Sequence, residues 1–354
     1  MTDLEDAWNE FLKSGEVNLP RNDEIVSSVN ENQPPSASEL YISTKTKILY
    51  LNTTIDLNYV FWKIDIIPYN TKTNGVIKKQ MKFISNSKSE LDNIQQKLQS
   101  CNYYNEYIIQ HLEQQQGNNI LYKDSRKISI GVCNKDLTNE RSKPKSAFYN
   151  CFVIILRLLY NGVFKEIHIK IFNTGKVEIP GVQNDEVFYQ SISILTNILS
   201  NITNTDIYYD KHNVETVLIN SNFHCGFCIN RPKLFDILKH KHNFNVSYDP
   251  CSYPGIQCVY YHDLNTDKKA DEIVNNKNIC KISYMIFRTG SILIVGKCSE
   301  EILKNHVYKY IKELLEYEYK NIYISNNLFD LKNQSKKEVK NKKIKKKVLL
   351  FTNQ

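Results

Sequence analysis

Hydrophobic and polar positions alternate in the same way in two segments of the chain, residues 167–187 and residues 282–302. Both segments fit the pattern I-x-x-x-I-F-x-T-G-x-[VI]-x-I-x-G, and the second lies 115 residues after the first throughout. A period of two is typical of a half-buried strand, and a Thr-Gly pair between two such runs predicts a tight turn. Each segment is therefore predicted to form a β-hairpin. The residues that follow each hairpin, Asn184–Glu186 and Ser299–Glu301, predict the start of a helix.

The parity of the residues separates the two faces of each predicted hairpin. One face of the first strand carries Ile167, Ile169 and Ile171 in the first copy and Ile282, Tyr284 and Ile286 in the second. Because this apolar face is continuous, it is predicted to face the core. Phe172 and Phe287 then lie at matching positions at the turn end of the opposite face. This repetition predicts a shared surface role for the two aromatic rings.

Similar elements surround both hairpins. The predicted strands and helices are Lys47–Leu51, Asp56–Ile64 and Val187–Leu199 around the first, and Val217–Ile229, Pro232–Lys241 and Ile302–Leu315 around the second. Each copy is thus predicted to be an antiparallel sheet with helices packed on one face and with the other face free. This arrangement belongs to the α+β class.

Composition and charge narrow the classes of protein. The chain has 354 residues, 46 Lys and Arg against 38 Asp and Glu, and nine Cys. These values exclude collagen-like, fully disordered and small disulfide-scaffold proteins. No apolar run approaches the ~20 residues of a membrane span, and the acidic start is unlike a secretory signal. The odd number of scattered Cys predicts reduced thiols in an intracellular protein.

The charge is concentrated at the two ends. Residues 332–354 hold nine Lys and one acid, which predicts nucleic-acid binding or a localisation signal, with a solvated terminus as the alternative. Residues 1–40 hold nine acids and two bases. Within them Leu4, Trp8, Phe11 and Leu12 form a helical stripe, which predicts either a peptide that docks on a partner or one that folds back on its own domain.

Two linked motifs in the second copy carry a resemblance to a known family. Residues 245–255 (NVSYDPCSYPG) and 281–302 (KISYMIFRTGSILIVGKCSEEI) resemble the Y-x-P-x-x-[FY]-P-G and I-F-x-[ST]-G-K signatures of the TATA-binding protein family. The resemblance covers roughly residues 42–323 and is greatest to the TATA-binding-like proteins of large nucleocytoplasmic DNA viruses. It implies an α+β, two-repeat saddle: a curved antiparallel sheet with helices on the convex face.

This resemblance implies a division of the chain into four parts. Residues 1–40 form the acidic segment, 41–204 the first saddle repeat, 205–325 the second repeat, and 326–354 the Lys-rich tail. The first repeat contains an insertion at about 65–146, which the family core lacks, with a predicted helix over Ser89–Gln116. The insertion is expected to serve either as a partner surface or as decoration with only a packing role.

The resemblance also implies a function. Family members cover the DNA minor groove with the sheet and wedge Phe side chains between base steps, which bends the duplex. The chain is therefore expected to be a general transcription initiation factor that binds double-stranded AT-rich promoter DNA and recruits a general-factor-B-like protein and RNA polymerase. No cofactor, membrane or small-molecule substrate is expected. Expected locations are the host cytoplasm, in a viral factory, or the nucleus, with packaging in the virion left open.

Individual residues are assigned by alignment with the family motifs. The expected wedges are Tyr253 and Phe287 in the second repeat and Phe172 in the first, with Phe148 or Phe152 as its partner. The expected contacts of the sheet floor with DNA are Met285, Leu293, Val295, Asn222 and Lys170. Departures from the family pattern fall on the floor: Lys170 and Glu178 replace apolar residues, and Pro180 and Val295 replace paired Thr. Lys170 and Glu178 are expected to be able to pair with each other.

Other functions are less well supported by the sequence. Cys225 and Cys228 with His240 and His242 suggest zinc, but the His spacing does not match common sites, so no metal is assigned. No catalytic constellation is present, so the chain is not expected to be an enzyme. The main alternative is a TATA-binding fold that serves as a protein-interaction scaffold without sequence-specific DNA readout. A nucleic-acid-processing enzyme and a single-strand binder are further rivals.

Overall fold

The computed structural model describes residues 33–116, 119–138, 150–270 and 278–324. The predicted amphipathic stripe at Leu4–Leu12 and the Lys-rich residues 332–354 lie outside these ranges. Within them the chain divides into two compact units. The first unit comprises residues 46–215, and the second comprises residues 33–45 and 216–324. Strand β1 (Tyr41–Tyr50) contributes residues to both.

The first unit contains an antiparallel sheet and four helices. Its other strands are β2 (Gly75–Ser85), β3 (Tyr104–Gln116), β4 (Asn119–Gly131), β5 (Cys151–Tyr160), β6 (Val163–Phe172) and β7 (Lys176–Val182). Its helices are α1 (Leu57–Lys63), α2 (Lys88–Gln99), α3 (Asn134–Thr138) and α4 (Asp185–Thr203), followed by a 3₁₀ turn at Lys211–Asn213. The strand order is β1-β7-β6-β5-β2-β4-β3.

The second unit is built in a similar way. Its strands are β8 (Glu215–His224), β9 (Cys228–Ile229), β10 (Val246–Ser247), β11 (Ile256–Asp263), β12 (Lys268–Lys269), β13 (Ile279–Ile286), β14 (Ser291–Gly296) and β15 (Tyr323–Ile324). Its helices are α5 (Arg231–Asp236), α6 (Glu300–Ile302), α7 (Lys309–Tyr317) and α8 (Tyr319–Ile322), and π-helical turns at Ile237–Lys241 and Leu303–Tyr308 continue α5 and α6. The strand order is β10-β11-β13-β14-β8, with β12 beside β11 and with β15 paired to β9.

The two units share one strand order. The sequence β2-β5-β6-β7-β1 in the first unit matches β10-β11-β13-β14-β8 in the second. Both predicted hairpins form, as β6 with β7 and as β13 with β14. Elements α2, β3, β4 and α3 have no counterpart among the described residues of the second unit, and all four lie in the chain between β2 and β5. The added material is therefore a helix, a long hairpin and a short helix.

The predicted helix over Ser89–Gln116 is wrong in its second half. Helix α2 begins after Ser87, whose hydroxyl accepts a hydrogen bond from the backbone of Glu90, and it ends at Gln99. From Tyr104 the chain runs as β3, antiparallel to β4. An ion-pair network favours the strand: Arg126 on β4 donates to the buried carboxylate of Asp124 and to Glu106 on β3. These partners are distant in sequence, so helical periodicity could not reveal them.

Each unit has its hydrophobic core between the sheet and the helices. In the first unit Phe61 of α1 packs edge-on against Phe152, and Leu195 of α4 is fully buried in the same cluster. In the second unit Ile311 and Leu315 of α7 share a buried cluster with the inner residues of β13 and β14. The expected α+β architecture, with helices on one face of antiparallel strands, is confirmed. None of the helices in the described ranges is long and apolar enough to cross a membrane.

Candidate nucleic-acid interface

The second unit carries an apolar cluster on the sheet face opposite its helices. Met285, Leu293 and Val295 form this cluster and are each no more than 5% exposed. Met285 on β13 lies directly opposite Leu293 on β14. The half-buried side chains of Leu218, Tyr253 and Phe287 pack against these three residues. Five of the predicted site residues, Tyr253, Met285, Phe287, Leu293 and Val295, are thus brought together; we call this surface the apolar face.

A tight turn places Phe287 at the rim of the apolar face. The carbonyl of Phe287 accepts a hydrogen bond from the amide of Gly290 at 3.0 Å, and its amide donates to Ser291 at 3.0 Å. Gly290 has φ +86°, and a Cβ atom there would lie 2.1 Å from the carbonyl oxygen of Phe227. Only glycine fits this left-handed, close-packed position. The Thr-Gly pair of the sequence pattern therefore fixes the direction in which the Phe287 ring projects.

A second turn places Tyr253 beside Phe287. The amide of Tyr253 donates to the carbonyl of Asp249 at 2.9 Å, and the Asp249 carboxylate accepts from Cys251 and Ser252. The Tyr253 hydroxyl donates to the sulfur of Met285 at 3.1 Å, and its ring centroid lies 6.2 Å from that of Phe287. Burial raises the pKa of Tyr253 to about 12, so the phenol is neutral over the physiological range.

Gly255 allows these two rings to pack closely. A Cβ atom at this position would lie 2.9 Å from the Phe287 ring and 3.1 Å from the Tyr253 ring. The backbone of Gly255 is not in the left-handed region, so its conformation does not by itself require glycine. The glycine of the Tyr-Pro-Gly motif is required because the two neighbouring rings leave no room for a side chain. Glycine at 255 gives the aromatic pair its spacing.

Polar amides border the apolar face on β8. Asn222 lies opposite Leu293 and Asn220 opposite Val295, so both side chains are on the same face as the cluster. The Asn222 amide is 3.4 Å from the hydroxyl of Ser43, and the Asn220 amide donates to Thr44 at 3.1 Å. The side-chain oxygen of Asn220 is buried without a hydrogen-bond partner among the described residues. The sequence analysis missed Asn220 and Leu218, although their parity with Asn222 along the strand could have revealed both.

The corresponding face of the first unit is polar. Lys170 on β6 lies directly opposite Glu178 on β7, and the two side chains form an ion pair at 2.6 Å. The pairing expected from the sequence is therefore present. With the offset of 115 residues, these positions match Met285 and Leu293 of the apolar face. Phe172 is half-buried at the end of β6, with the ammonium of Lys176 5.3 Å from its ring centroid.

Phe152 is not available as the partner of Phe172. Phe152 lies on β5, opposite Ile171 of β6, and is fully buried in the core beneath helix α1. The matching position of the second unit is Ile256, which lies opposite Ile286 and is buried in that unit's core. The assignment of Phe152 as a DNA wedge is therefore wrong, because its side chain points to the helix side of the sheet. The alternative, Phe148, lies outside the described residues.

Part of the first unit's outer face is covered by its own chain. Ile67, Tyr69 and Cys133 pack on the buried side chains of Ile77 and Ile155, which point away from the helices. The prediction that this face is free is therefore wrong around Ile155 in the middle of β5. The covering residues belong to the segment before β2 and to the segment after the added hairpin, and both segments fold back over the sheet.

Buried charges fix this covering segment. Lys78 donates to the carboxylate of Asp136 at 2.6 and 2.7 Å. Burial alone would raise the pKa of Asp136, but hydrogen bonds from Lys78 and Cys133 outweigh it and lower the pKa. The Arg157 guanidinium donates to the backbone carbonyls of Tyr69 and Thr71. The segment is thus held by charge-assisted hydrogen bonds, which are stronger than neutral ones.

The residues that suggested zinc in the sequence do not converge. The Cys225 thiol is buried and donates to the carbonyl of Phe227. His242 bonds instead to the buried carboxylate of Glu318 at 2.9 Å. Among the described residues, the His, Cys, Asp and Glu side chains close enough to share a metal ion form one group, which contains none of Cys225, Cys228, His240 and His242.

The chain was compared with known proteins to test the resemblance to the TATA-binding protein family. No protein-family model matches the chain. A curated TATA-box-binding protein-like protein of Acanthamoeba polyphaga mimivirus is 28% identical over 239 residues. This match covers 58% of the chain and 61% of the relative, so the chain spans about three fifths of that relative's length. The structure of Methanococcus jannaschii TBP is 15% identical, with a TM-score of 0.38 over 78% of this chain and 97% of that one. The relationship to the mimivirus protein confirms the resemblance of this chain to the TATA-binding protein family.

Proposed function

We propose that the protein binds double-stranded DNA through the minor groove and that the apolar face of the second unit makes the contact. The observation that carries the proposal is the convergence of Tyr253 and Phe287 over Met285, Leu293 and Val295, on the sheet face opposite the helices. Minor-groove proteins of this kind insert apolar wedges between base steps and bend the duplex. The two rings are the proposed wedges.

The composition of the face suits a widened minor groove. Its three central side chains are apolar and uncharged, so it can approach sugar edges without leaving a charge unpaired. The half-buried Asn222 adds an amide group beside it, which can donate to the acceptors that A·T pairs present in the minor groove. Unstacking costs a few kcal/mol per step, and it costs least at flexible pyrimidine–purine steps such as TA. AT-rich DNA is therefore the proposed target.

The proposed biological role is transcription initiation. The name of the mimivirus relative and the family resemblance support recognition of promoter DNA, followed by recruitment of a general-factor-B-like protein and RNA polymerase. The shared strand order of the two units supports an origin by duplication. In this proposal the chain performs no catalytic step, acts inside the cell, and uses the added hairpin of the first unit for partner contacts.

A bending assay tests the proposal. An AT-rich duplex of about 20 base pairs, labelled at both ends, is titrated with protein beside a GC-rich duplex, and energy transfer between the labels reports bending. We expect a rise in transfer for the AT-rich duplex that is lost in Phe287→Ala and reduced in Tyr253→Ala. Tyr317→Ala is the matched control, because Tyr317 is 73% exposed on helix α7. Unchanged bending in Phe287→Ala contradicts the proposal.

A specific observation favours a second candidate function. The Lys170–Glu178 pair and the covered segment near Ile155 leave the first unit less suited to an apolar groove contact. A protein-interaction scaffold without sequence-specific readout would tolerate both features. It would bind AT-rich and GC-rich duplexes equally, without bending, and with an affinity indifferent to Phe287→Ala.

A further inference from the structure

Three side chains from separate segments of the second unit meet on the helix side of its sheet. His262 is near the end of β11, Asp267 is in the turn that leads to β12, and His306 is in the π-helical turn after α6. The Nε2 atom of His262 lies 3.1 Å and that of His306 lies 3.3 Å from the same oxygen, Oδ1 of Asp267. The ligand atoms of all three residues lie within 4.8 Å of one another.

The fold directs these side chains to one point by two uncommon backbone conformations. Asp267 has φ +53°, a left-handed conformation that non-glycine residues seldom adopt, in the turn where His262 pairs with Lys269. His306 lies in a π-helical turn, which is rare and frequently found at functional sites. His262 has the parity of Tyr260 on β11, so its ring points toward the helix and lies 4.7 Å, between centroids, from the ring of His306.

We propose that His262, Asp267 and His306 form a binding site for a divalent transition metal ion, with zinc as the ion that fits best. Imidazole and carboxylate are common zinc ligands, and sites with three protein ligands complete a tetrahedron with water. Bonds of about 2.0–2.1 Å to a tetrahedral ion place neighbouring ligand atoms ~3.4 Å apart. Two of the separations, 3.1 and 3.3 Å, are close to this value, and all three ligand atoms lie within 4.8 Å of one another.

Hydrogen bonding to Asp267 is the alternative to an ion in this cluster. In that arrangement both imidazoles donate to the same oxygen of Asp267, which has two lone pairs to accept them. The Nδ1 atom of His262 is buried without a hydrogen-bond partner among the described residues, and the ring is fully buried. A buried polar atom left unsatisfied is destabilising, and this cost is the same whether Nε2 bonds to Asp267 or to an ion. The proposal therefore rests on the convergence of the two Nε2 atoms on one carboxylate oxygen and not on the Nδ1 atom.

The cluster is also accessible to an ion. The side chain of Asp267 is 72% exposed and that of His306 is 27% exposed, whereas His262 is closed off from solvent. The ion can therefore enter from the solvent side and keep a water ligand there. Bound in this place, it connects the β11–β12 turn to the helix that follows β14. Because His262 and the Phe287–Met285 surface are on opposite faces of the sheet, the proposed ion site is separate from the proposed DNA-binding surface.

Cobalt and zinc titrations of the full-length, metal-stripped protein test the site. Cobalt(II) gives visible ligand-field bands in a four-coordinate site, and zinc displaces it in competition. We expect one ion per chain, and an affinity at least about 10-fold weaker in His306→Ala and in Asp267→Asn, since loss of a ligand should exceed the 10–100-fold effect of an outer-shell change. His240→Ala is the matched control, because His240 is exposed and outside the cluster.

Two further readouts keep the test decisive. Zinc is expected to raise the thermal unfolding midpoint of the unmodified protein and not that of His306→Ala. Asn tolerates the left-handed conformation of residue 267, so Asp267→Asn retains the turn if His306→Ala folds poorly. The proposal is overturned if either variant binds with unchanged stoichiometry and affinity. A cobalt spectrum dominated by sulfur-to-metal charge transfer also overturns it, because it assigns the ion to cysteines.

Discussion

The ammonium of Lys170 lies 2.6 Å from the carboxylate of Glu178, and the two residues are direct register partners on β6 and β7. The matching register partners in the second unit are Met285 and Leu293, which are buried and apolar. One unit therefore has an ion pair where the other has an apolar contact. The side chains of the pair are 36% and 21% exposed, so its contribution to stability is at most about 1 kcal/mol.

Replacing the ion pair by the apolar pair tests whether the first unit contacts DNA. In Lys170→Met with Glu178→Leu, we expect the free energy of unfolding to change by less than about 1 kcal/mol. We expect the affinity for an AT-rich duplex to rise, because an apolar pair can approach the groove without desolvating two charges. Fluorescence anisotropy at fixed salt measures the change.

The single variant Lys170→Met is the control for this prediction. It leaves the Glu178 carboxylate without its partner on the same face, so repulsion from phosphates should lower the affinity below that of the unmodified protein. If the double and single variants both bind as the unmodified protein does, the first unit does not contact DNA through this face.

A methyl group at residue 255 should separate folding from bending. Gly255→Ala places Cβ 2.9 Å from the ring of Phe287 and 3.1 Å from that of Tyr253, so at least one ring must move. We expect the energy-transfer signal of the bent AT-rich duplex to fall, while circular dichroism stays unchanged. Tyr317→Ala is again the control, because Tyr317 is 73% exposed on helix α7. Full bending in Gly255→Ala would show that the ring positions do not matter.

The buried carboxylate of Glu318 should make stability depend on pH. Burial alone would raise its pKa, but hydrogen bonds from Lys241, His242 and Asn321 outweigh burial and lower the pKa to about 2. A carboxylate with a lowered pKa stabilises the fold above its unfolded pKa of about 4.5. This contribution is lost as the pH falls from that value toward 2. Between those limits the free energy of unfolding should therefore decrease.

Removing this charge gives the measurement. At pH 7, Glu318→Gln should lower the free energy of unfolding on the order of 2 kcal/mol, after allowance for solvent screening of the exposed Lys241. The difference from the unmodified protein should shrink as the pH falls below 4.5, which urea unfolding at several pH values detects. Glu301→Gln is the control at an exposed position. A difference that stays constant down to pH 2 would show that Glu318 is not charged in the folded state.

The parts of the fold that the sequence predicts are those with local signals. Thr-Gly turns, strand parity and helix caps place the two hairpins, the helices after them and the ring of Phe287. The cap is an example: Asn184 accepts hydrogen bonds from the backbone of Glu186 and Val187 at the start of α4. Such signals involve residues within a few positions of one another, so a single sequence contains them.

The errors arise where distant segments decide the structure. The run from Cys151 to Leu156 is apolar without alternation, so the sequence does not show which of its side chains face the core. The structure explains this, because β5 is covered by helices on one face and by Ile67 and Cys133 on the other. The misassignment of Phe152 follows from that ambiguity. His262, Asp267 and His306 likewise meet only through the fold, since no motif spacing links them.

The Lys-rich residues 332–354 and the apolar face should make separable contributions to DNA binding. Removal of this segment deletes nine Lys, so the dependence of log affinity on log salt should become shallower by up to ~0.9 for each phosphate that the protein no longer neutralises. The energy transfer of the saturated AT-rich duplex should not change, because the rings that bend it remain.

Phe287→Ala in the chain that keeps residues 332–354 should have the opposite effect: bending is abolished, and the steep salt dependence of the affinity stays. If the truncated chain neither binds nor bends at low salt, the tail alone accounts for binding, and the apolar face should be assigned to protein contacts instead.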